Sequence, residues 1–126
     1  MKTQKQKMGA WGEDQAVEFL VKNGYSLLER NFRVRACELD IIAWKEIKGE
    51  KTLCFIEVKT REGQDDGSAQ RATGKDKLHN MFHAAKEFCL QKNIPLSGVP
   101  MQFEQVSVYK KSETDVLCKH YVIPIN

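Results

Sequence analysis

The sequence predicts an α/β fold in which helices flank one mixed sheet of four or five strands, in the order αβββαββ. Apolar residues recur at helical spacing before Gly24 and again after Lys75. Five shorter runs are rich in β-branched and large apolar residues, as strands are. With 126 residues, 41% of them hydrophobic, the chain has the size and composition of one domain, residues 1–126, with one core.

The first helix is predicted over residues 9–23. Ala16 and Leu20 lie on one side of it, with Val17 and Phe19 close by, and Gly24 is a usual residue just past a helix end. Residues 1–8 are expected to form a flexible N-terminal segment. They carry lysines but no apolar stretch, and no run in the chain approaches the roughly 18 apolar residues of a membrane span. The pattern therefore favours the cytoplasm.

Three strands are predicted next, over residues 25–33, 37–45 and 52–60. Residues 61–74, REGQDDGSAQRATG, contain three glycines and no periodicity, which indicates a loop. A long amphipathic helix follows from Lys75, with Leu78, Met81 and Ala85 on its apolar side, and ends near Asn93. Residues 102–109 and 117–123 are the fourth and fifth strands. The four cysteines are far apart in the sequence and are read as reduced thiols.

The second and third strands form a hairpin if the chain turns between Lys48 and Gly49, in which case the numbers of opposed residues sum to 97. In that register Asp40 faces Glu57 and Glu38 faces Lys59. Because side chains alternate along strands, all four would point to one face of the sheet. The sequence thus predicts two carboxylates and a lysine emerging from otherwise buried strands.

Two opposed carboxylates about 5 Å apart repel by roughly 3 kcal/mol at an effective dielectric of about 20. A divalent cation between Asp40 and Glu57 would offset this repulsion, and Mg²⁺, with Mn²⁺ as a substitute, favours such oxygen ligands. Lys59 would then orient or help deprotonate a water, or hold charge at a phosphate. The spacing is typical of a phosphodiester-cleaving site. The alternative is a solvated face on which Lys59 and Glu38 form an ion pair worth under about 1 kcal/mol.

Glu13 is a further candidate, because on the first helix it shares a stripe with Val17 and Leu20 and should face the sheet. It would then reach the metal or Lys59. The alternative is that Glu13 is an early-helix acid favoured by the helix dipole.

Several separate motifs resemble the YraN family of small bacterial proteins. Matching positions are Gly9, Gly12, Glu13 and Ala16; Asn31, Phe32 and Arg33; Glu38, Leu39, Asp40, Ile42 and Ala43; FIEVKTR over residues 55–61; and Gly67, Ser68, Ala69 and Ala72. The resemblance implies a restriction-endonuclease-like core with Asp40, Glu57 and Lys59 in catalytic positions and Glu13 as an accessory acid. Cys37 and Gln102 depart from the family pattern, which usually has glycine and arginine there.

Two functions therefore remain open from the sequence. One is a magnesium-dependent endonuclease acting on DNA, for which a homodimer is one arrangement. The other is a non-catalytic nucleic-acid-binding or protein-interaction module on the same fold. Nucleic-acid contacts are predicted around the long loop, at Arg61, Arg71, Lys75 and Lys77. Lys77 matches a family lysine and is the leading candidate, whereas Arg71 and Lys75 are as well explained by solvation.

Overall fold

The computed structural model describes residues 2–35, 37–62 and 75–125. Its elements, in chain order, are α1 (Gln4–Lys22), β1 (Ser26–Val34), β2 (Cys37–Ile47), β3 (Glu50–Glu62), α2 (Lys75–Gln91), β4 (Met101–Lys110) and β5 (Val116–Val122). The predicted order αβββαββ is confirmed. β3 is longer than predicted, so Arg61 belongs to a strand rather than to the start of the loop.

Helix α1 begins at Gln4, and the predicted start at Gly9 was wrong. Thr3 caps the helix: its hydroxyl accepts from the Gln6 amide at 3.1 Å, and the Gln6 side chain accepts from the Thr3 amide at 2.9 Å. This reciprocal capping box satisfies main-chain donors that the start of a helix leaves unpaired. Residues 4–8, expected to be flexible, therefore belong to the first turns of α1.

The five strands form one sheet in the order β1-β2-β3-β4-β5. All neighbours are antiparallel except β3 and β4, which run parallel and are joined through α2. In the hairpin of β2 and β3, Ile41 pairs with Ile56 and Ile47 pairs with Glu50, so the predicted register, summing to 97, is confirmed. Lys48 and Gly49 form the turn with φ of 51° and 81°, the left-handed conformations that suit a two-residue hairpin.

The sheet is covered on both faces. Helix α2 packs on one face, where Phe88 contacts the edges of Phe32 and Phe55 with ring centroids 5.2 and 6.4 Å apart. On the other face, Ala16 and Leu20 of α1 pack in a second buried cluster. The central strand β3 is buried on both faces over residues 52–57, because it contributes alternate side chains to both clusters.

The buried carboxylate of Glu104, on β4, forms hydrogen bonds that link neighbouring segments on the α1 side of the sheet. It is 0% exposed, and its Oε1 accepts from the Tyr25 hydroxyl at 2.7 Å and lies 2.6 Å from His120 Nε2. Gln102 Nε2 donates to its other oxygen at 2.9 Å. These bonds join the segment before β1 to β4 and β5, and they satisfy a carboxylate that would otherwise be costly to bury.

The thiols of Cys37, Cys54, Cys89 and Cys118 are free, as predicted. Across the described parts of the chain, neither helix is long and apolar enough to cross a membrane.

Candidate active site

The candidate site lies where β2 and β3 part. Their ladder ends at the pair of Ile41 and Ile56, although β2 continues along β1 back to Cys37 and β3 continues along β4 to Glu62. Just beyond the last pair, the Val58 amide donates to Asp40 Oδ2 at 2.7 Å. The Asp40 carboxylate therefore bonds the main chain of β3 at the point where the two strands separate.

Asp40 also lies at a break in the alternation of β2. Leu39 and Ile42 pack in the same cluster against α2, although residues three apart on a regular strand face opposite ways. Opposite Asp40, between the pairs Arg30–Ile41 and Phe32–Leu39, Asn31 of β1 has a φ of 54°. The local distortion explains why Asp40 reaches the β3 main chain instead of standing out from a regular pleat.

Glu57 is held by two lysines. Glu57 is only 5% exposed. Its Oε1 lies 3.1 Å from Lys59 Nζ and 3.0 Å from Lys77 Nζ of α2. Burial alone would lower the pKa of Lys77, but the hydrogen bond and charge of Glu57 raise it above its ordinary value. Lys77, predicted to contact phosphate, thus pairs with a proposed site carboxylate. Its place on the inner stripe of α2, with Met81 and Phe88, is a sequence signal for this inward position.

Burial raises the pKa of Asp40 to about 6, against the lowering effect of the Val58 hydrogen bond. The negative charges of Glu57, Glu13 and Glu38 raise it further. Glu57 is therefore near Asp40, but the predicted cross-strand pair of the two lies beyond the ladder, which ends at Ile41 and Ile56. Asp40 lines the cleft with Glu13 of α1, whereas Glu57 pairs with Lys77 of α2, so the prediction that both carboxylates point to one face is not confirmed. Glu38, however, pairs with Arg33 at 2.8 Å, so the predicted alternative of a Glu38–Lys59 ion pair was wrong.

Glu13 faces inward from α1, with its side chain 13% exposed, and its Oε1 accepts from Arg30 Nε at 3.1 Å. It lines the same cleft as Asp40 and Lys59. Its ion-pair partner is Arg30 of β1 and not Lys59, a long-range pairing for which the sequence carries no signal. Glu13 stands close enough to bear on the pKa of Asp40.

A close contact sets the position of α1 over this site. A Cβ built on Gly12 would stand 1.9 Å from Thr60 Oγ1 and 2.8 Å from Thr60 Cγ2. Only glycine lets the helix lie this near β3, one residue from Lys59. The contact brings Glu13 to the acid cluster.

The site opens into a cleft of about 940 Å³ between α1 and the ends of β2, β3 and β4. Its charged lining residues are Lys5, Lys7, Glu13, Glu38, Asp40, Lys59, Arg61, Glu62 and Lys110. Arg61, which the sequence predicted to contact nucleic acid, lines this cleft. Arg71 lies outside the described residues, as does the side chain of Lys75.

Within residues 2–35, 37–62 and 75–125, no three His, Cys, Asp or Glu side chains are arranged to hold a metal ion among themselves. A fully protein-enclosed site, such as structural zinc has, is therefore not formed by these residues. Mg²⁺ keeps several waters and binds one or two carboxylates, and of the two candidate ligands Asp40 lines the cleft, whereas Glu57 is 5% exposed and does not line it.

A family model described as "Uncharacterised protein family UPF0102" matches residues 12–121. A UPF0102 protein of Flavobacterium psychrophilum, FP2501, is 38% identical over 104 residues, covering 82% of each chain. A UPF0102 protein of Desulforapulum autotrophicum, HRM2_30940, is 35% identical over 112 residues, covering 89% of this chain and 88% of its own. The UPF0102 protein CE1920 of Corynebacterium efficiens is 45% identical over 85 residues, covering 68% of this chain and 66% of its own.

Proposed function

The chain belongs to the UPF0102 family, the YraN family that its motifs resemble, and we propose that it is a magnesium-dependent endonuclease that cleaves phosphodiester bonds in DNA. The observation that carries the proposal is the half-buried carboxylate of Asp40, fixed to the Val58 amide at the cleft and close to other acids. A charged Asp40 is unfavourable there without a cation, since the negative charges of Glu57, Glu13 and Glu38 add to burial in raising its pKa.

The donor set supports a magnesium ion, which Asp40 and Glu57 would hold. When bound, the ion supplies a Lewis acid that polarises a phosphate oxygen and lowers the pKa of a coordinated water. Lys59, beside Glu57 and lining the cleft, brings an ammonium to the position where negative charge would develop on the phosphate. Glu13, fixed by Arg30, adds negative charge on the α1 side of Asp40 and so favours a cation there.

A second function is favoured by one observation, the neutralisation of Glu57 by Lys59 and Lys77. Because these two lysines already balance the buried carboxylate, the cluster is stable enough to fold without an ion. A nucleic-acid-binding or protein-interaction module that has the fold without turnover would have this arrangement. The two proposals differ in whether Asp40 binds Mg²⁺.

Calorimetric titration of the purified protein with MgCl₂ tests this difference. The nuclease proposal predicts a saturable heat that Asp40→Asn weakens at least tenfold. Glu46→Gln is the matched control, because Glu46 is an exposed acid near the other end of the same strand. Equal magnesium binding by the two variants, or none by the native protein, would favour the non-catalytic module.

A further inference from the structure

We propose that the backbone of a bound nucleic acid crosses the cleft on the side of α1, held by four cationic side chains that we call the α1 rim: Lys5, Lys7, Arg61 and Lys110. This inference rests on the proposed function for the class of ligand, a polynucleotide. It assigns the phosphate contacts to residues that the sequence motifs did not single out, apart from Arg61.

The α1 rim is assembled from three elements. Lys5 and Lys7 are on the first two turns of α1, which the Thr3 cap extends to Gln4. Arg61 lies two residues beyond Lys59 near the end of β3. In the parallel pairing of β3 with β4, Glu62 is opposite Lys110, so Lys110 lies beside this strand end. All four rim residues line the cleft that also contains Asp40 and Lys59.

Two of the rim side chains, Lys110 and Arg61, contact other residues at the cleft. Lys110 Nζ lies 5.6 Å from the centre of the Trp11 ring and 3.6 Å from the exposed carboxylate of Glu113. Both contacts are weak in water, so a phosphate competes well for this ammonium. Among the described residues, Arg61 donates one guanidinium hydrogen bond, to its neighbour's carbonyl, Thr60 O, at 3.2 Å. Its fork geometry suits phosphate oxygens.

The α2 side of the site is less suited to this role. Lys77, the lysine there that points to the site, lies 3.0 Å from the buried carboxylate of Glu57. Moving it to a phosphate would leave Glu57 with less compensation, and an uncompensated buried charge is costly. Phosphate contacts are therefore favoured on the α1 side, where the cations face open cleft.

The charge pattern also explains why the ligand is a chain of phosphates. The acids that line the cleft repel any anion that approaches alone; they are Glu13, Glu38, Asp40 and Glu62. Four cations distributed over three elements contact several phosphates at once, and so offset this repulsion for a polymer better than for a mononucleotide. A backbone on the α1 rim would bring a neighbouring phosphodiester to Asp40 and Lys59.

The location of binding is tested by fluorescence. The chain has two tryptophans, and Trp44 lies outside the cleft lining, with Lys51 Nζ 4.5 Å from its ring centre. Trp44→Phe leaves Trp11, beside Lys110, as the only tryptophan whose fluorescence can report binding. In EDTA, which prevents cleavage, a labelled DNA of about 20 nucleotides should bind by anisotropy and change Trp11 emission along the same curve. Binding by anisotropy with unchanged Trp11 emission, or no binding at all, would overturn the α1 rim. The nuclease is decided separately by the MgCl₂ titration of the native protein and Asp40→Asn.

The contribution of the lysines is tested by salt dependence. Replacing Lys5, Lys7 and Lys110 together with glutamine should flatten the slope of log affinity against log salt by roughly 2 to 3 units, since each lost phosphate contact removes about 0.7 to 0.9. The control replaces Lys22, Lys48 and Lys86, which are exposed and outside the cleft lining, and loses the same formal charge. Equal slopes for the two triple variants would overturn the proposal.

Discussion

The carboxylate of Asp40 accepts a 2.7 Å hydrogen bond from the main-chain amide of Val58, and this bond joins β2 to β3 just beyond the end of their ladder. It holds a charged side chain in a place where the strands leave a gap. The bond lowers the pKa of Asp40, but burial outweighs it and the net pKa is about 6. The charged form of Asp40 therefore lowers the free energy of unfolding of the metal-free protein.

The first prediction concerns pH and stability without metal. The pKa of Asp40 is raised from 3.8 to about 6 by folding, so its stabilising contribution is full below pH 3.8 and is lost as the pH rises through 6. Asp40→Asn should therefore be more stable than the native protein at pH 7.5, by about 1 to 3 kcal/mol, and the difference should shrink towards pH 4.5. Urea unfolding in EDTA measures both. A native protein that is the more stable of the two at pH 7.5 would assign Asp40 a structural role.

The second prediction concerns Lys77. Lys77→Met removes an ammonium group that pairs with Glu57, so the metal-free protein should lose about 1 to 3 kcal/mol of stability. If Glu57 binds magnesium, the same change should increase the stabilisation that Mg²⁺ gives, measured as the shift in Tm at several concentrations. Lys86→Met, at an exposed position of the same helix, is the control. Identical Mg²⁺ shifts in both variants would remove Glu57 from the proposed metal site.

The third prediction concerns the contact of α1 with β3. Gly12→Ala should destabilise the protein by several kcal/mol, although alanine is intrinsically the better helix former by about 1 kcal/mol. The reason is the 1.9 Å approach of the new Cβ to Thr60 Oγ1. Gly9→Ala, on the same helix with nothing within 4 Å of its Cβ, should be neutral or stabilising. Thermal unfolding of the pair tests the contact, and two similar Tm shifts would contradict it.

The fourth prediction concerns Glu104. Burial acts to raise its pKa, but hydrogen bonds from His120, Cys54, Tyr25 and Gln102 hold it below 4.5. Its contribution to stability is therefore present above pH 4.5 and is lost as the pH falls below that value, the opposite sign to Asp40. Glu104→Gln should cost about 2 to 4 kcal/mol at pH 7, because charge-assisted bonds are replaced by weaker ones. The free energy of unfolding of both proteins at pH 7 and pH 4 measures this cost. A cost of Glu104→Gln that is as large at pH 4 as at pH 7 would contradict a charged Glu104.

Much of the site could be predicted because it depends on local patterns. A tight turn at Lys48 and Gly49 fixes the register of β2 and β3, and the register brings Asp40 near Glu57. The position of Lys59 follows from Glu57 by alternation. What failed depends on distant or irregular structure: the break in side-chain alternation of β2 at Asp40, and the pairing of Glu13 with Arg30 across 17 residues.

The predicted start of α1 was wrong although the sequence carries a signal for the true one, because the prediction followed apolar periodicity instead. The first turns of α1 lack an apolar stripe, so their helical state depends on the Thr3 and Gln6 capping box. The phosphate contact of Lys77 was predicted from its match to a family lysine and stays a prediction. The spacing of Lys77 to Met81 on the inner stripe of α2 is the feature that indicates a buried partner.

Cleavage of DNA tests the central claim most directly. Linear, nicked, single-stranded and four-way-junction substrates are incubated with MgCl₂ and with the native protein, Asp40→Asn, Lys59→Met or Glu46→Gln. The account predicts that the native protein and Glu46→Gln cut at least one substrate and that EDTA stops the reaction. Asp40→Asn and Lys59→Met, folded by circular dichroism, should be slower by a factor of about 100 or more, as for loss of a group that stabilises the transition state. No cleavage of any substrate by the native protein, or equal cleavage by Asp40→Asn, would contradict it.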